Sequence, residues 1–468
     1  MTQRGTGQFA LTAEDIADPY PVYRHYREVD PVHVVPAASP DLPSTWYLFR
    51  YADVVRVLSS PHVGRSAQRA CAHLADPPAL IPAHYPVLRE VVSGWLVFLD
   101  PPRHTRLRAL VATQFSPRVV TGLRVRVDRY AHELLLSMRE KEHTDLVEDY
   151  SAPLPILVIS ELLGIPRERR AWMRDRAVAL QEANSSRTDG RPDRYATAEA
   201  AARDLRDYFL DEIRLRRRRE YDDLTALLVR DHDGDGSLTD AEIVSTCIHL
   251  LTAGHETTTN LVSKATLALL AHPGTRDELR TDPQLMPGAV DELIRYDPPV
   301  QMITRWAYRD LVIAGRTISR GSRIVLVLGS ANRDPERFAE PDTLDIRRNA
   351  SRHCGFGMGI HYCLGAPLAR LEAEVALVAL LRELPHLATT GETVRYADDL
   401  VFHGPSRLLL RTGKPPGPNG TPDGHVPASG PSVPANRADR PFRGVTASAA
   451  AAPSIEPDVE RHGRVDPL

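Results

Sequence analysis

Lysine is almost missing from this 468-residue chain: only Lys141, Lys264 and Lys414 stand among 58 basic residues, a bias toward arginine that reads as codon usage rather than chemistry. A net positive charge is missing too. Acidic residues number 61 and the formal net charge is −3, so nothing global directs the chain to nucleic acid or to a membrane surface. Cysteine is scarce, with Cys71, Cys247, Cys354 and Cys363 alone, which excludes a disulfide framework and suits a reducing compartment. No uninterrupted apolar run reaches the ~20 residues that span a bilayer. The opening "MTQRGTGQFALTAEDIADPYP" lacks the apolar core of a signal peptide. A soluble, cytoplasmic protein is the expectation.

Hydrophobic residues at 42% and charged residues at 25% are globular values. Residues 1–10 are small and polar and are expected to fray. Residues 413–468 are rich in Pro, Gly and Ser without an apolar period and are expected to be disordered. Between them, residues 11–412 carry many amphipathic helical patterns, such as "RHTRLRALVATQF" and "PLARLEAEVALVALLREL". Short β-like pieces, "TWYLFR", "LVIAGRTI" and "SRIVLVLG", lie near the start and in the last third. With no fixed-period repeat and no internal linker, one large, mainly α domain with small accessory β-sheets is expected. The run Arg216 to Arg219 borders Glu212, Glu220, Asp222 and Asp223 and reads as a solvated helix end.

The stretch "DHDGDGSLTDAE", Asp231 to Glu242, spells a calcium loop: acids at its first, third and fifth places, Gly at the sixth and Glu at the twelfth. A single such loop lacks a partner hand. Thr239-Asp240-Ala241-Glu242 is also a capping box, and acids suit the positive end of the helix that follows, so a structural cap is the preferred reading.

The most informative segment is "GFGMGIHYCLGAPLAR", Gly355 to Arg370. Its glycines permit tight backbone, and Pro367 suits the first turn of a helix running to about Leu384. Cys363 then sits just before a helix N-terminus, where free amides and the dipole favour a thiolate. A zinc site from His353, Cys354, His361 and Cys363 lacks the usual paired spacing. An inert cysteine would not need these glycines, and the glycines do not fit G-x-G-x-x-G. What remains is a thiolate ligand to haem iron, with Phe356 shielding the sulfur.

Phe356-Gly357-x-Gly359-x-His361-x-Cys363-x-Gly365, continuing into Leu368-Ala369-Arg370, resembles the haem-binding signature of the cytochrome P-450 family. The resemblance extends from about Leu11 to Thr412. It implies a haem-thiolate fold, haem b ligated by Cys363, and a buried charge network of Glu292, Arg295 and Arg348 bracing the proximal side. Glu292 and Arg295 are one turn apart on a helix face. His104 and Arg108 in "DPPRHTRLR" share a helical face, and they, with Arg305 and His361, match the family's propionate partners.

The segment "AEIVSTCIHLLTAGHETTTNLVSKATLALLAH" is apolar nearly all round in its first half, as a core helix requires. "HETTT" begins like a zinc-protease motif but has Thr259 where the second His belongs. Thr257 beside Glu256 in a buried helix is by itself ordinary packing with a back-bond. By resemblance, "AGHETT" is the oxygen-activating segment, with Thr257 holding oxygen and Glu256 relaying protons. By the same pattern His249, Thr252, Ala253, Val300, Gln301, Met302, Val401 and Phe402 line a substrate pocket, and Gly254 leaves room for a ligand or a local helix distortion. Polar His249 and Thr252 point to a functionalised intermediate of secondary metabolism.

The implied activity is monooxygenation of a small organic substrate. Oxidative coupling, desaturation or a non-catalytic haem sensor are its rivals. No flavin or iron–sulfur region is present, so electrons from NAD(P)H are expected through a ferredoxin and a ferredoxin reductase, with the chain itself a monomer.

Overall fold

A computed structural model describes residues 11–39, 41–184, 193–230, 238–397 and 399–413. Residues 1–10, the tail beyond Gly413 and most of the calcium-like loop therefore lie outside the described residues. The fold is mainly α, with small sheets at its margin.

Its axis is a 32-residue helix, Asp240–Ala271, about 48 Å long at 1.5 Å per residue. The capping box starts it: Thr239 Oγ1 accepts from the Glu242 amide at 3.2 Å, and Glu242 Oε2 accepts from the Thr239 amide at 3.1 Å. Glu242 also pairs with Arg103, at 3.3 Å, and with Arg106. This acid thus has two structural uses that need no calcium. Pro273 follows the helix end and cannot extend it.

Apolar residues on several faces of this central helix bury it among the helices Pro153–Leu162, Arg170–Asn184 and Arg194–Arg216. The helix Ala366–Glu383 starts after Gly365 with a proline in its first turn and packs against both the central helix and Arg124–Arg139. It ends one residue before Leu384, as the sequence led one to expect.

Five short strands form the main sheet, in the spatial order Val32–Val35, Thr45–Leu48, Arg323–Val327, Met302–Ala307, Val63–Gly64. Only the second and third of these run parallel. Period-2 alternation divides the sheet's two faces: Ile324 and Leu326 pack on Val54 and Leu58, while Val325 and Val327 pack on Tyr23 and Phe49. Leu311–Ile313 and Arg316–Ile318 make a separate hairpin.

One expectation needs correction. The run at Arg216 is not wholly a solvated helix end, because Arg216 is buried and bonds Asp223 at 2.8 Å as well as Glu212. Helix Arg194–Arg216 ends there because its last turn is tied to the next segment by charge-assisted hydrogen bonds.

Candidate active site

Halfway along the central helix the burial pattern breaks. Ala253 is exposed and Gly254, Glu256 and Thr257 are half-buried, although residues on both sides are enclosed. An exposed alanine in the middle of a core helix marks a hollow. Thr257 Oγ1 donates to the Ala253 carbonyl at 3.0 Å, and Thr252, only 2% exposed, donates to Ile248 at 2.7 Å. The helix is continuous through Gly254, where an added Cβ would meet Ile159 at an ordinary 3.7 Å. The local distortion raised as one use of that glycine is therefore not seen.

Cys363 stands at the head of helix Ala366–Glu383, after a single turn Gly359–His361. Its amide donates to the Phe356 carbonyl at 2.9 Å, folding the loop back on itself. Gly359 has φ +70°, and a Cβ there would meet the Leu58 carbonyl oxygen at 2.5 Å, so this position excludes a side chain. Phe356 lies beneath the Arg370 guanidinium, 4.6 Å from the ring centre. Burial pushes the Cys363 thiol above its ordinary range, and the amides of Gly365 and Ala366 with the charges of Arg108 and Arg370 offset this only in part. The amides at the helix start thus favour the thiolate, as the sequence led one to expect, while desolvation opposes it. A bound cation would complete the balance.

Beside the loop, arginine and histidine side chains crowd together. His104 is 1% exposed and neither ring nitrogen has a hydrogen-bond partner among the described residues. Its ring lies 4.3 Å from that of His361, whose Nε2 is likewise unpartnered. Arg108 donates to the Tyr362 carbonyl at 2.7 Å, Arg305 to Thr304 at 2.9 Å, and Arg65 to Val97 at 2.7 Å. Burial and the neighbouring Arg65 push Arg305 down to about 9, and burial pushes Arg65 to about 10. His361 falls to about 2, chiefly from burial, then from Arg305, His104, Arg65 and Arg108. Asp100 offsets part of this charge, and its carboxylate is also bonded by the amides of Arg65 and Ser66. Such a cluster is built to hold a further anion.

His249, one helical turn before Ala253, belongs to an aromatic stack. His249 stacks on Trp95 with ring centres 5.4 Å apart, and Trp95 stacks on Phe98 at 6.1 Å. Burial holds the His249 imidazole near a pKa of about 4, so it is neutral at physiological pH. The Trp95 indole N–H has no hydrogen-bond partner among the described residues. Val300 and Phe402, both half-buried, pair across an isolated β-bridge, with half-buried Val401 beside them. Gln301 and Met302 differ from the sequence expectation. The Gln301 amide turns toward Tyr20, Asp297 and Pro298, and Met302 packs with Tyr23 and Phe49, because they begin a strand whose side chains are claimed by the N-terminal helix.

Three of the charges read from the sequence meet in one buried network. Arg295 donates to both Glu292 oxygens at 2.6 and 2.7 Å, with both side chains fully buried, and Arg348 reaches Glu292 at 3.3 Å. Sequence reasoning missed Arg65, Trp95 and Phe98. All three lie in irregular or very short elements where no period marks an inward face. Among the described residues no three His, Cys, Asp or Glu side chains gather as a metal site.

Comparisons with known proteins agree with this geometry. The family model described as Cytochrome P450 matches residues 193–408. The polyketide biosynthesis cytochrome P450 PksS of Bacillus subtilis is 34% identical over 405 residues, covering 85% of this chain and 96% of the relative. The cytochrome P450 monooxygenase PikC of Streptomyces venezuelae is 38% identical over 399 residues, covering 84% and 91%. The solved structure of P450BioI, in complex with acyl carrier protein ligated to hexadec-9Z-enoic acid, superposes with a TM-score of 0.78 at 32% identity, covering 86% of this chain and 100% of that one. With a glycine-bound cysteine loop, a hollowed core helix and relatives matched over nearly their whole length, this chain belongs to the cytochrome P450 family.

Proposed function

We propose that this oxidoreductase inserts one oxygen atom of O2 into a small organic substrate, an intermediate of natural-product biosynthesis, while the other atom leaves as water. Haem b is the family's cofactor, and NAD(P)H supplies its electrons indirectly. The observation that carries the residue assignment is the cluster of Arg65, Arg108, Arg305, His104 and His361 beside Cys363, with buried ring nitrogens that lack partners. A dianionic pair of propionates fits that cluster, and a thiolate ligand fits the sulfur with its two flanking amides. When bound, the haem supplies the site of O2 reduction.

The chain's own residues do the rest. Cys363 would ligate the iron, and the five cationic or imidazole groups would hold the propionates. Thr257 and Glu256, half-buried beside the exposed Ala253, would hold and pass protons in this reading. The Thr257 hydroxyl proton is spent on the Ala253 carbonyl, so its oxygen is left as an acceptor unless the side chain rotates. Glu292, Arg295 and Arg348 tie the cysteine side of the fold together.

His249, Ala253, Val300, Val401 and Phe402 form the substrate walls in this reading, with Thr252 behind them. A neutral His249 on an apolar, aromatic wall offers one donor and one acceptor, which suits a carbonyl- or hydroxyl-bearing scaffold better than a bare hydrocarbon. The polyketide role named for PksS supports the same class. Electrons are expected from a ferredoxin and its reductase in the cytoplasm, in keeping with the finding that no described helix is long and apolar enough to cross a membrane. The test is spectral titration and turnover with a surrogate ferredoxin system. Macrolactone-type polyketides should give a substrate-type shift and a product heavier by one oxygen; tight binding only of hydrocarbon terpenes would refute the substrate class.

A further inference from the structure

In a chain that uses arginine almost everywhere, a lysine sealed in the core calls for a chemical reason. Lys264 is 2% exposed and lies seven residues, about two turns, beyond Thr257 on the central helix, and so on nearly the same face. Its ammonium donates to the Pro298 carbonyl at 2.9 Å and to His403 Nδ1 at 2.7 Å, and pairs with Asp297 Oδ1 at 2.7 Å. Three protons meet three acceptors from different directions, which an ammonium allows and a planar guanidinium does not.

Each acceptor belongs to a segment that matters for the hollow. Asp297 and Pro298 lead directly into Val300, and His403 follows Phe402. The two segments are also joined by the His403 amide, which donates to the Pro299 carbonyl at 2.8 Å, and by the Val300–Phe402 bridge. Because His403 Nδ1 accepts from the ammonium, Nε2 carries the hydrogen and donates to the Ile16 carbonyl at 2.6 Å. Asp297 accepts from the Tyr20 hydroxyl at 2.5 Å. One nitrogen on the central helix thus anchors both segments, and its two side-chain partners in turn hold the N-terminal helices.

We infer that Lys264 is a positioning residue that sets how far Val300 and Phe402 stand from the Thr257 shelf, and so determines which ligand shapes the hollow accepts. This rests on the reading of Val300 and Phe402 as pocket walls. Shortening or bending the ammonium link lets both segments drift from the helix together while the cysteine loop, on the other side, keeps its own contacts.

The test compares two ligands on the haem-loaded enzyme: imidazole, too small to press on the walls, and 4-phenylimidazole, whose phenyl ring must fit between them. Lys264→Met with Asp297→Asn removes both charges at once, so no lone ion is left buried. Its expected result is an unchanged thiolate-type spectrum, an imidazole Kd within about twofold of the parent, and a ratio of the two Kd values shifted by about tenfold. Lys264→Arg and His403→Gln serve the same comparison should the double variant fail to hold haem. An unchanged ratio in the haem-loaded variants, whatever their Tm, overturns the inference, since a purely structural lysine moves only stability. Phe402→Ala separates the two levels: if it also leaves the ratio unchanged, the wall assignment itself falls, and if it alone shifts the ratio, only the role of Lys264 falls.

Discussion

Replacing Arg295 by alanine should damage the fold far more than it touches the chemistry, and the size of the effect follows from its contacts. The guanidinium makes two bonds to Glu292 and one each to the carbonyls of Asn332, Pro341 and Thr343, at 2.6 to 3.0 Å, and is fully buried. Breaking one side of a buried pair costs about 3–5 kcal/mol, mostly because the partner charge stays behind. Glu292 would keep the Asp345 amide at 3.0 Å and Arg348 at 3.3 Å, which holds the cost within that range. For a folded region of about 400 residues, an unfolding entropy of roughly 2.1 cal/mol/K per residue turns this into a Tm drop of about 4–6 °C. The assay is thermal unfolding of the haem-loaded protein together with the fraction of haem retained. Glu292→Gln combined with Arg295→Gln should cost less than the two single changes added, since neither variant charge is stranded. An Arg295→Ala protein that melts within 1 °C of the parent would refute the reasoning.

Further outcomes are specific. Thr257→Ala should bind substrate with unchanged affinity but divert electrons from product into peroxide or water, lowering coupled product about tenfold or more; undiminished coupling would remove Thr257 from proton handling. Arg65→Ala and Arg305→Ala should each speed the loss of haem to apomyoglobin, because each removes a cation from the anion-binding cluster; equal transfer rates would dissociate those residues from the propionates. Burial holds His249, His255 and His403 to pKa values of about 4 in the fold, against ~6.5 when unfolded. The unfolded chain then takes up protons that the native one refuses, so stability should fall as pH drops from about 6.5 toward 4, by ~1.4 kcal/mol per pH unit for each ring. His403→Gln should flatten the slope of Tm against pH, and a parent Tm independent of pH in this window would contradict the assignment.

Much of this architecture is legible in the chain itself, and the boundary is physical. The cysteine loop could be read because its glycines, its proline and the helix behind it are local, and the central helix because its cap and the largely apolar pattern of its first half are local as well. Glu292 and Arg295 share one helical turn, so their pairing is a property of spacing. The desolvation that opposes the thiolate at Cys363 was not legible, because burial is a property of the folded chain. Nor was the role of Arg65, which meets Arg305 through a strand pairing of Val63–Gly64 with Met302–Ala307. Gln301 and Met302 sit where a pocket lining was expected, yet their side chains are taken by Tyr20, Tyr23 and Phe49, partners more than 250 residues away. The ammonium of Lys264 was silent for the same reason, because its three acceptors converge only in the folded chain.

The most direct measurement is the carbon-monoxide difference spectrum of the reduced, haem-loaded protein, taken for the parent and for Cys363→Ser. The parent should show the red-shifted Soret band of a thiolate ligand, and the variant should lose that band and its turnover while still folding. A parent without the band, or a variant that keeps it, would contradict ligation of the haem by Cys363.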